Sequence, residues 1–298
     1  MKKIVFYTEN FWALGNIHAA LCKLLYAQGF NCELLDFNLE YSREQMCHIA
    51  DAADCIVTNY PSKLINYYGV TASKIVFTAH GQWDILLAQK ELGSNFDILA
   101  GYAVVGDILK EKSLEFGITR QPSLVNVGIF FDRYYQPAAD SLNSVGYAAA
   151  MQTVNFWGQE IKRGVLVEQV AHRLEIPFKK AQHCHFLAMP HFYHQTDAIV
   201  MSSIEESVGL PMMESAAAGK LTIGTPVGYF EKHGPLGGGI VLPVQADEYC
   251  DSLYTTLDYY RKYSDEYKKK CCEIQDYARE NYDWSKHISS WVDFFANC

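Results

Sequence analysis

Short apolar segments alternate with longer amphipathic ones along the first half of the chain. The short segments are typical of buried strands, because they are rich in Ile, Val, Leu and Phe and are too short for helices. The predicted strands are Ile4–Tyr7, Cys32–Phe37, Cys55–Thr58, Lys74–Ala79, Tyr102–Val105 and Leu124–Val127. Helical spacing of apolar residues predicts helices over Ile17–Gln28, which ends at Gly29, and over Ile108–Phe116. This alternation predicts a parallel sheet with helices on both faces.

A second alternating series follows the polar stretch Pro137–Ser144, which is the best candidate for a linker. The predicted strands are Val145–Met151, Cys184–Leu187, Ala198–Met201, Leu221–Gly224 and Gly239–Leu242. The predicted helices are Gly164–Leu174, Pro211–Ala218, Asp247–Tyr260, Asp265–Glu280 and Trp284–Phe295. We therefore predict two doubly wound, Rossmann-like α/β domains, 1–137 and 138–298, with a last helix (about 284–296) able to pack back on the first domain. A ligand is expected at the carboxyl ends of the strands, in a cleft between the domains.

Composition narrows the possible partners and the compartment. The chain has 298 residues, 49% of them hydrophobic, which excludes a disordered protein. A net charge of −9 argues against nucleic acid as a partner and allows at most peripheral contact with a membrane. No segment approaches the ~18 apolar residues of a membrane span. The start of the chain is predicted to be a strand rather than a signal peptide. Nine cysteines without a Cys-x-x-Cys pattern predict reduced thiols and a cytoplasmic location.

The most informative segment, residues 197–228, predicts a strand, a loop and a helix that has Pro211 near its first position. The main-chain N–H groups before the helix would form an anion site, and Gly209 would let a diphosphate approach the backbone. These groups belong to Ser207, Val208, Gly209 and Leu210. Glu206 and Glu214 flank this helix start. A carboxylate can accept from two adjacent hydroxyls, which suits a ribose or another sugar.

The segment Glu206–Gly219, with seven residues between its two glutamates and Gly-Leu-Pro inside it, resembles the hallmark of the family 4 retaining glycosyltransferases. That family has the GT-B fold, in which two Rossmann-like domains face a central cleft. Four further segments resemble family motifs, in family order, and together they extend the resemblance over nearly the whole chain. They are Phe77-Thr-Ala-His80-Gly-Gln-Trp83, Leu124–Tyr134, Ile161–Gly164 and Ala278–Ser285.

The resemblance implies transfer of a sugar from a nucleotide-diphosphate sugar to a hydroxyl of a saccharide or lipid-linked acceptor. It assigns the acceptor to the first domain (1–137) and the nucleotide-sugar donor to the second (138–298). It assigns Glu214 to the donor ribose, Glu206 to hydroxyls of the transferred sugar, and the amides of Ser207, Val208, Gly209 and Leu210 to the diphosphate. Arg163, with Lys162, would neutralise the leaving group, and His80 would lie beside the sugar. Gly15 and Asn16 belong to the segment that replaces the family's glycine-rich first loop. Gly15 is equally consistent with substrate contact and with helix entry. Neither a metal nor a cofactor is expected, and the chain has no Asp-x-Asp motif.

One departure from the family motifs leaves alternatives open. The family has an Arg on the stretch before its Lys, whereas Tyr147–Gly158 has none. The chain could therefore be a catalytically silent nucleotide-sugar-binding subunit. A nucleotide-sugar epimerase of the same fold is a further alternative. Zinc is disfavoured, because the histidine-rich stretch lacks the spacing of a structural site. That stretch contains His183, Cys184, His185, His191 and His194.

Overall fold

The computed structural model describes residues 1–155, 157–181 and 184–298, so His183 lies outside the described residues. Contacts divide the chain into two compact units. The first unit contains Met1–Val127 together with His287–Cys298, and the second contains Gly128–Lys286. Each unit is built on one parallel sheet, in agreement with the alternation of strands and helices in the sequence. The domain limits 1–137 and 138–298 stay a prediction.

The sheet of the first unit has the strand order β2-β1-β3-β4-β5-β6, with every neighbouring pair parallel. Its strands are β1 (Lys3–Thr8), β2 (Asn31–Asp36), β3 (Cys55–Thr58), β4 (Ile75–Ala79), β5 (Gly101–Val105) and β6 (Ser123–Val125). The six predicted strands of this half are confirmed, with ends displaced by two residues at most. Strands β3, β4 and β5 are buried along their whole length, as expected for a sheet covered on both faces.

Helices cover the first sheet, and two of them have no counterpart among the predicted elements. The helices are α1 (Ala13–Ala27), α2 (Arg43–Ala52), α3 (Gln82–Leu92) and α4 (Asp107–Glu115). The unpredicted α2 begins with a capping box. The N–H of Gln45 donates to Ser42 Oγ over 3.1 Å, and the N–H of Ser42 donates to Gln45 Oε1 over 2.8 Å. Three of the four residues at the start of α3 are polar or aromatic, which hides its apolar periodicity.

The sheet of the second unit has the order β11-β10-β9-β7-β8 and is also parallel. Its strands are β7 (Val145–Tyr147), β8 (Phe178–Lys180), β9 (Ala198–Met201), β10 (Leu221–Gly224) and β11 (Ile240–Val241). Its helices are α5 (Phe131–Tyr134), α6 (Gly164–Arg173), α7 (Met189–His194), α8 (Leu210–Ala217), α9 (Tyr229–His233), α10 (Ala246–Lys262) and α11 (Ser264–Asn281). Counted from its own first strand, this sheet runs second-first-third-fourth-fifth, as does the beginning of the first sheet. Both units therefore have the doubly wound topology.

The strand predicted over Cys184–Leu187 is wrong. A short 3₁₀ turn over Phe186–Ala188 leads directly into α7 instead. The edge position of the sheet is taken by β8, whose sequence Phe-Lys-Lys was not recognised as a strand. Charged lysines are characteristic of edge strands, because they hinder pairing with another chain, and they also remove the apolar pattern by which strands are recognised.

The end of the chain returns to the first unit through a helix, α12 (Ile288–Ala296). The predicted helix Trp284–Phe295 is therefore interrupted, because Trp284–Lys286 is a 3₁₀ turn that belongs to the second unit. The indole N–H of Trp291 donates to the carbonyl of Asn126 over 2.7 Å, and the ring of Phe295 packs edge-on against Phe6 at 6.0 Å. These contacts fix α12 to the sheet of the first unit.

All nine cysteines lie within the described residues and are free thiols. Among the described residues, no helix is both long enough and apolar enough to cross a membrane.

Replacing Trp291 by Ala is expected to lower the free energy of unfolding by about 3–5 kcal/mol, because the indole is fully buried and its cavity cannot fill. Urea denaturation followed by circular dichroism measures the change. The matched control is Trp157→Ala, since that indole is exposed and its removal should change the stability by less than about 0.5 kcal/mol. Equal effects of the two substitutions would contradict the anchoring of α12 by Trp291.

Candidate functional site

The candidate site of the second unit lies at the carboxyl ends of β7 and β9, the neighbouring strands at which the strand order reverses. Chain connections leave such a pair toward opposite faces of the sheet, which opens a crevice for a ligand. The segment that follows β7 leads to Lys162 and Arg163, and the segment that follows β9 leads to Glu206. The topology therefore brings together residues that are about forty positions apart in the sequence.

Hydrogen bonds tie these two segments to each other. The N–H of Ile204 donates to the carbonyl of Ile161 over 2.9 Å. Ser202 Oγ lies 2.8 Å from the carbonyl oxygens of both Lys162 and Arg163, and can donate to either. The guanidinium Nε of Arg163 returns a bond to the carbonyl of Ser202 over 2.7 Å. The two segments thus form one hydrogen-bonded unit, which we call the paired loops (161–163 and 202–206).

Arg163 occupies an unusual position at the start of α6. Its backbone is left-handed, with φ 47° and ψ 33°, a conformation that costs energy for a residue other than Gly. Its Nη1 donates to the carbonyl of Val244 over 2.7 Å, and its guanidinium lies 5.8 Å from the ring centroid of Tyr249. Burial lowers the pKa of Arg163, but a guanidinium stays charged at any physiological pH. Within the described residues, buried Nη2 has no hydrogen-bond partner.

Lys162 and Glu206 form an ion pair across the paired loops. Ser203 Oγ donates to the same carboxylate oxygen, Glu206 Oε1, over 2.9 Å. Both charged side chains are only partly exposed, so solvent screens their attraction less than it screens a surface pair. The structure therefore brings two predicted site residues into contact, and it adds Ser203 as a third member.

The helix that follows the paired loops is preceded by a glycine whose backbone is left-handed. Gly209 has φ 71° and ψ 51°, and an added Cβ would meet nothing closer than 3.6 Å. The left-handed backbone, rather than a lack of space, is therefore the reason for Gly at this position. Helix α8 starts at Leu210, with Pro211 in its first turn, as predicted to within one residue. The first N–H groups of a helix have no acceptor within it, and they lie at its positive end. The N–H donors at this positive helix end, together with the cations Lys162 and Arg163, suit an anion.

Glu214 lies in the second turn of α8, with 4% of its surface exposed. Tyr134 Oη donates to one carboxylate oxygen over 2.7 Å, and Tyr193 Oη donates to the other over 2.7 Å. Burial and the nearby Glu214 carboxylate raise the pKa of Tyr193, so that its hydroxyl remains a donor. The two tyrosine hydroxyls thus orient the carboxylate of Glu214.

The two tyrosines were missed in the sequence, as were Ser202 and Ser203. Tyr134 lies in α5 and Tyr193 in α7, which are 80 and 21 positions before Glu214. A buried tyrosine needs a hydrogen-bond partner, but the amino-acid sequence does not show which residue that partner will be. Tyr134 closes a segment that resembles a family motif, and this was the only signal that could have singled it out.

His80 lies at the end of β4, in the first unit. Its main-chain N–H and that of Gly81 both donate to Asp84 Oδ2, over 2.8 and 3.0 Å. The ring centroid of His80 is 5.3 Å from that of His18, with the two rings nearly perpendicular. Burial lowers the pKa of His80 to about 3, and burial together with His80 lowers the pKa of His18. Both imidazoles are therefore neutral at pH 7.

Gly15 and Asn16, the other residues predicted in the first unit, lie in the first turn of α1. A Cβ on Gly15 would come within 2.6 Å of the carbonyl oxygen of Glu9, so no larger residue fits. Gly15 therefore allows the segment after β1 to pack against the helix. The N–H of Asn16 donates to the carbonyl of Trp12 over 3.1 Å, which closes this first turn. Among the described residues of both units, no group of three or more His, Cys, Asp or Glu side chains is arranged to hold a metal.

No family model and no curated protein matches this sequence. Solved structures do match. Anabaena HepE in complex with UDP-glucose has a TM-score of 0.71 at 13% identity, over 100% of both chains. Sucrose-phosphate synthase from Thermosynechococcus elongatus has a TM-score of 0.66 at 12% identity, over 99% of this chain and 98% of that one. The catalytic domain of Arabidopsis thaliana starch synthase IV, bound to ADP and acarbose, has a TM-score of 0.63 at 12% identity, over 99% of both chains.

This chain has the GT-B fold. The fold class expected from the alternation of elements and from the resemblance is confirmed. At these low identities the likeness shows the fold alone, because one fold supports many functions.

Replacing Tyr193 by Phe is expected to lower the free energy of unfolding by about 1–3 kcal/mol, since it deprives a buried carboxylate of a donor. Urea denaturation measures the loss. Tyr263→Phe serves as the control, because that side chain is exposed. A Tyr193→Phe variant as stable as the parent would show that Glu214 does not depend on this hydroxyl.

The buried imidazole of His18 should make the fold sensitive to acid. Its pKa is lowered in the folded state, so below about pH 6.5 the unfolded chain binds the extra proton and stability falls. The loss is about 1.4 kcal/mol per pH unit for each such histidine. His18→Leu should therefore lose less stability than the parent between pH 7 and pH 5, as measured by urea denaturation at each pH. If the free energies of unfolding of the two proteins fell equally between pH 7 and pH 5, a neutral, buried His18 would be contradicted.

Proposed function

We propose that this protein is a retaining glycosyltransferase similar to those of family 4, which transfers a sugar from a nucleotide-diphosphate sugar to an acceptor hydroxyl. One observation carries the proposal. The paired loops hold Lys162, Arg163 and Glu206 together at the carboxyl end of the second sheet, and the loop that contains Glu206 leads directly into α8. Cations and a positive helix end suit a diphosphate, and the carboxylate suits sugar hydroxyls.

The likeness to solved structures supports a nucleotide-sugar donor. The structure of Anabaena HepE is a complex with UDP-glucose, and the catalytic domain of starch synthase IV is bound to ADP and acarbose. In the proposal, the main-chain amides just before and at the start of α8 hold the diphosphate. They belong to Ser207, Val208, Gly209 and Leu210. Glu214 accepts hydrogen bonds from the ribose diol, with its carboxylate oriented by Tyr134 and Tyr193.

Charge on the leaving group dominates the proposed chemistry. The bond between the anomeric carbon and the diphosphate oxygen breaks, and its electron pair stays on that oxygen. The acceptor oxygen bonds to the carbon on the same face and gives its proton to the departing diphosphate. Arg163 Nη2, Lys162 and the helix end stabilise the developing charge, which is where an enzyme needs stabilisation most. The chemistry is proposed to need no metal, so that activity should survive EDTA.

One carboxylate and one imidazole complete the proposed set. Glu206 is proposed to contact hydroxyls of the transferred sugar, while Ser203 and Lys162 hold its carboxylate. His80 is proposed to lie beside that sugar, as the resemblance implies. Its neutral imidazole can exchange a hydrogen bond with a hydroxyl without adding a second cation.

A second candidate is a silent subunit that binds the nucleotide sugar without turnover. This candidate is favoured because both cations of the site already bond to other groups of the protein. Arg163 donates to the carbonyls of Ser202 and Val244, and Lys162 is paired with Glu206. The stretch Tyr147–Gly158 also lacks the family's further Arg. Hydrolysis of the donor in the absence of acceptor would exclude this candidate, whereas binding without any turnover would favour it.

Replacing Glu214 by Gln is expected to weaken binding of the donor nucleotide by about 1–3 kcal/mol, because a charged acceptor for the ribose diol is lost. The donor is first selected by a thermal-shift screen of UDP-, GDP- and ADP-sugars, since a bound ligand raises the melting temperature. Titration calorimetry then compares the variants. Gln keeps the size of the side chain. Its amide oxygen can accept from one tyrosine hydroxyl, and its amide N–H can donate to the hydroxyl oxygen of the other.

The matched control for this titration is Glu248→Gln, which neutralises an exposed acid in the first turn of α10. It should leave donor binding unchanged. Equal affinity of Glu214→Gln and the parent would refute the ribose role, and no binding of any nucleotide sugar by the parent would refute the proposed function.

A further inference from the structure

The first unit contains an open cavity of about 510 Å³ at the amino-terminal edge of its sheet, opposite to the edge at which His80 lies. Its walls are the first residues of β5 and β6, the segments just before them, and the end of α12, all within this unit. Cavities that hold small molecules have volumes of roughly 300–1,000 Å³. The cavity therefore has the size of a ligand site. Among the described residues that line it, none takes part in the proposed function.

One wall of the cavity carries the cation Arg120, in the segment before β6. Its Nη1 donates to the carbonyl of Leu99 over 2.7 Å, and the carbonyls of Phe96 and Asp97 lie within 3.5 Å of the same nitrogen. These contacts hold one end of the guanidinium. Within the described residues its Nε and Nη2 donate to no group, and the side chain is partly exposed. The guanidinium can therefore give two further hydrogen bonds to a carboxylate.

Another wall carries the anion Asp293, near the end of α12. Its side chain is exposed, and its carboxylate has no partner in the part of the chain that the structure describes. The cation at this end of the helix, Lys2, is engaged, because its Nζ donates to the carbonyls of Phe295 and Cys298. The carboxyl end of a helix is negative and adds to the charge of Asp293. This wall therefore suits a cationic group that donates hydrogen bonds.

Arg120 and Asp293 line the same cavity, yet these two described residues do not form an ion pair with each other. A ligand with a single charge would be attracted by one of them and repelled by the other. A small zwitterion presents the matching charge to both. The cavity therefore favours a molecule that carries a carboxylate and an ammonium group.

Leu124 and Phe294 add apolar surface to the same cavity. The ring of Phe294 is held close to the start of β5. A Cβ on Gly101 would lie 3.0 Å from Phe294 Cζ and 2.6 Å from Cys298 Sγ, so only glycine lets the end of α12 lie directly on this strand. Because this wall is ordered before a ligand arrives, little conformational entropy is lost on binding. The wall suits an apolar side chain.

We propose that this pocket, the α12 cavity (Arg120, Leu124, Asp293 and Phe294), binds an α-amino acid that has an apolar side chain. Arg120 pairs with the α-carboxylate and Asp293 with the α-ammonium group, while Leu124 and Phe294 contact the side chain. The inference goes beyond the proposed function and does not depend on it, since the cavity shares no residue with the proposed donor site.

A ligand-observed NMR titration of the full chain tests the proposal, because it measures weak binding and needs no turnover. The probes are L-phenylalanine and L-leucine, together with two analogues of phenylalanine. 3-Phenylpropionate lacks the ammonium group, and phenethylamine lacks the carboxylate. Both amino acids should bind, and each analogue should bind about threefold to tenfold more weakly than L-phenylalanine, the effect of losing one partly exposed ion pair.

Substitutions then assign each charge to its partner. Asp293→Asn keeps the shape of an exposed side chain and should weaken L-phenylalanine about threefold to tenfold without weakening 3-phenylpropionate. Arg120→Gln should weaken L-phenylalanine without weakening phenethylamine, and its melting temperature is measured because Arg120 also supports the carbonyl of Leu99. The matched control is Asp51→Asn, an exposed acid of α2 outside the cavity, which should change nothing.

The proposal is overturned if neither amino acid binds, or if Asp293→Asn binds L-phenylalanine as the parent does. It is also overturned if either analogue binds as tightly as L-phenylalanine, because the cavity would then not select a zwitterion. Binding of UDP, GDP and ADP is measured on the same protein. Failure of these nucleotides to bind would count against the proposed function alone.

Discussion

The proposed donor site of the second unit depends on the hydrogen bonds that join residues 161–163 to residues 202–206. Ser202 is at the centre of this connection, because its hydroxyl reaches two carbonyls of one loop while its own carbonyl accepts from Arg163. The bond from Arg163 orients the guanidinium, whose buried Nη2 has no hydrogen-bond partner within the described residues. The strained backbone of Arg163 persists because these bonds hold it from both sides.

An acidic chain can bind an anion only through local features, and the two units differ in these features. Both begin with the same strand order, yet the corresponding edges carry opposite chemistry. The edge of the second sheet combines Lys162, Arg163 and a positive helix end. The edge of the first combines Glu9 and Asp36 with exposed aromatic rings. The topology provides two crevices, and the loop residues decide which ligand each one suits.

The apolar patterning of the chain predicted the six strands of the first sheet and most of the second, because buried parallel strands are nearly continuous apolar runs. It failed at β8, where Lys179 and Lys180 suit an edge, and it missed α2, whose capping box at Ser42 was available as a signal. The resemblance singled out Lys162, Arg163 and Glu206, and the structure brings their loops together. It could not reveal that Tyr134 and Tyr193 hold Glu214, since buried tyrosines reach distant partners that no local pattern encodes.

Hydrogen–deuterium exchange would locate the donor-binding segments directly. It is measured with and without the nucleotide sugar that stabilises the chain most. Binding should protect the amides of 161–164 and 203–210, because the diphosphate would cap the start of α8 and hold the paired loops closed. Protection confined to other segments, with these amides exchanging as in the free protein, would show that the donor does not bind at the switch point of the second sheet.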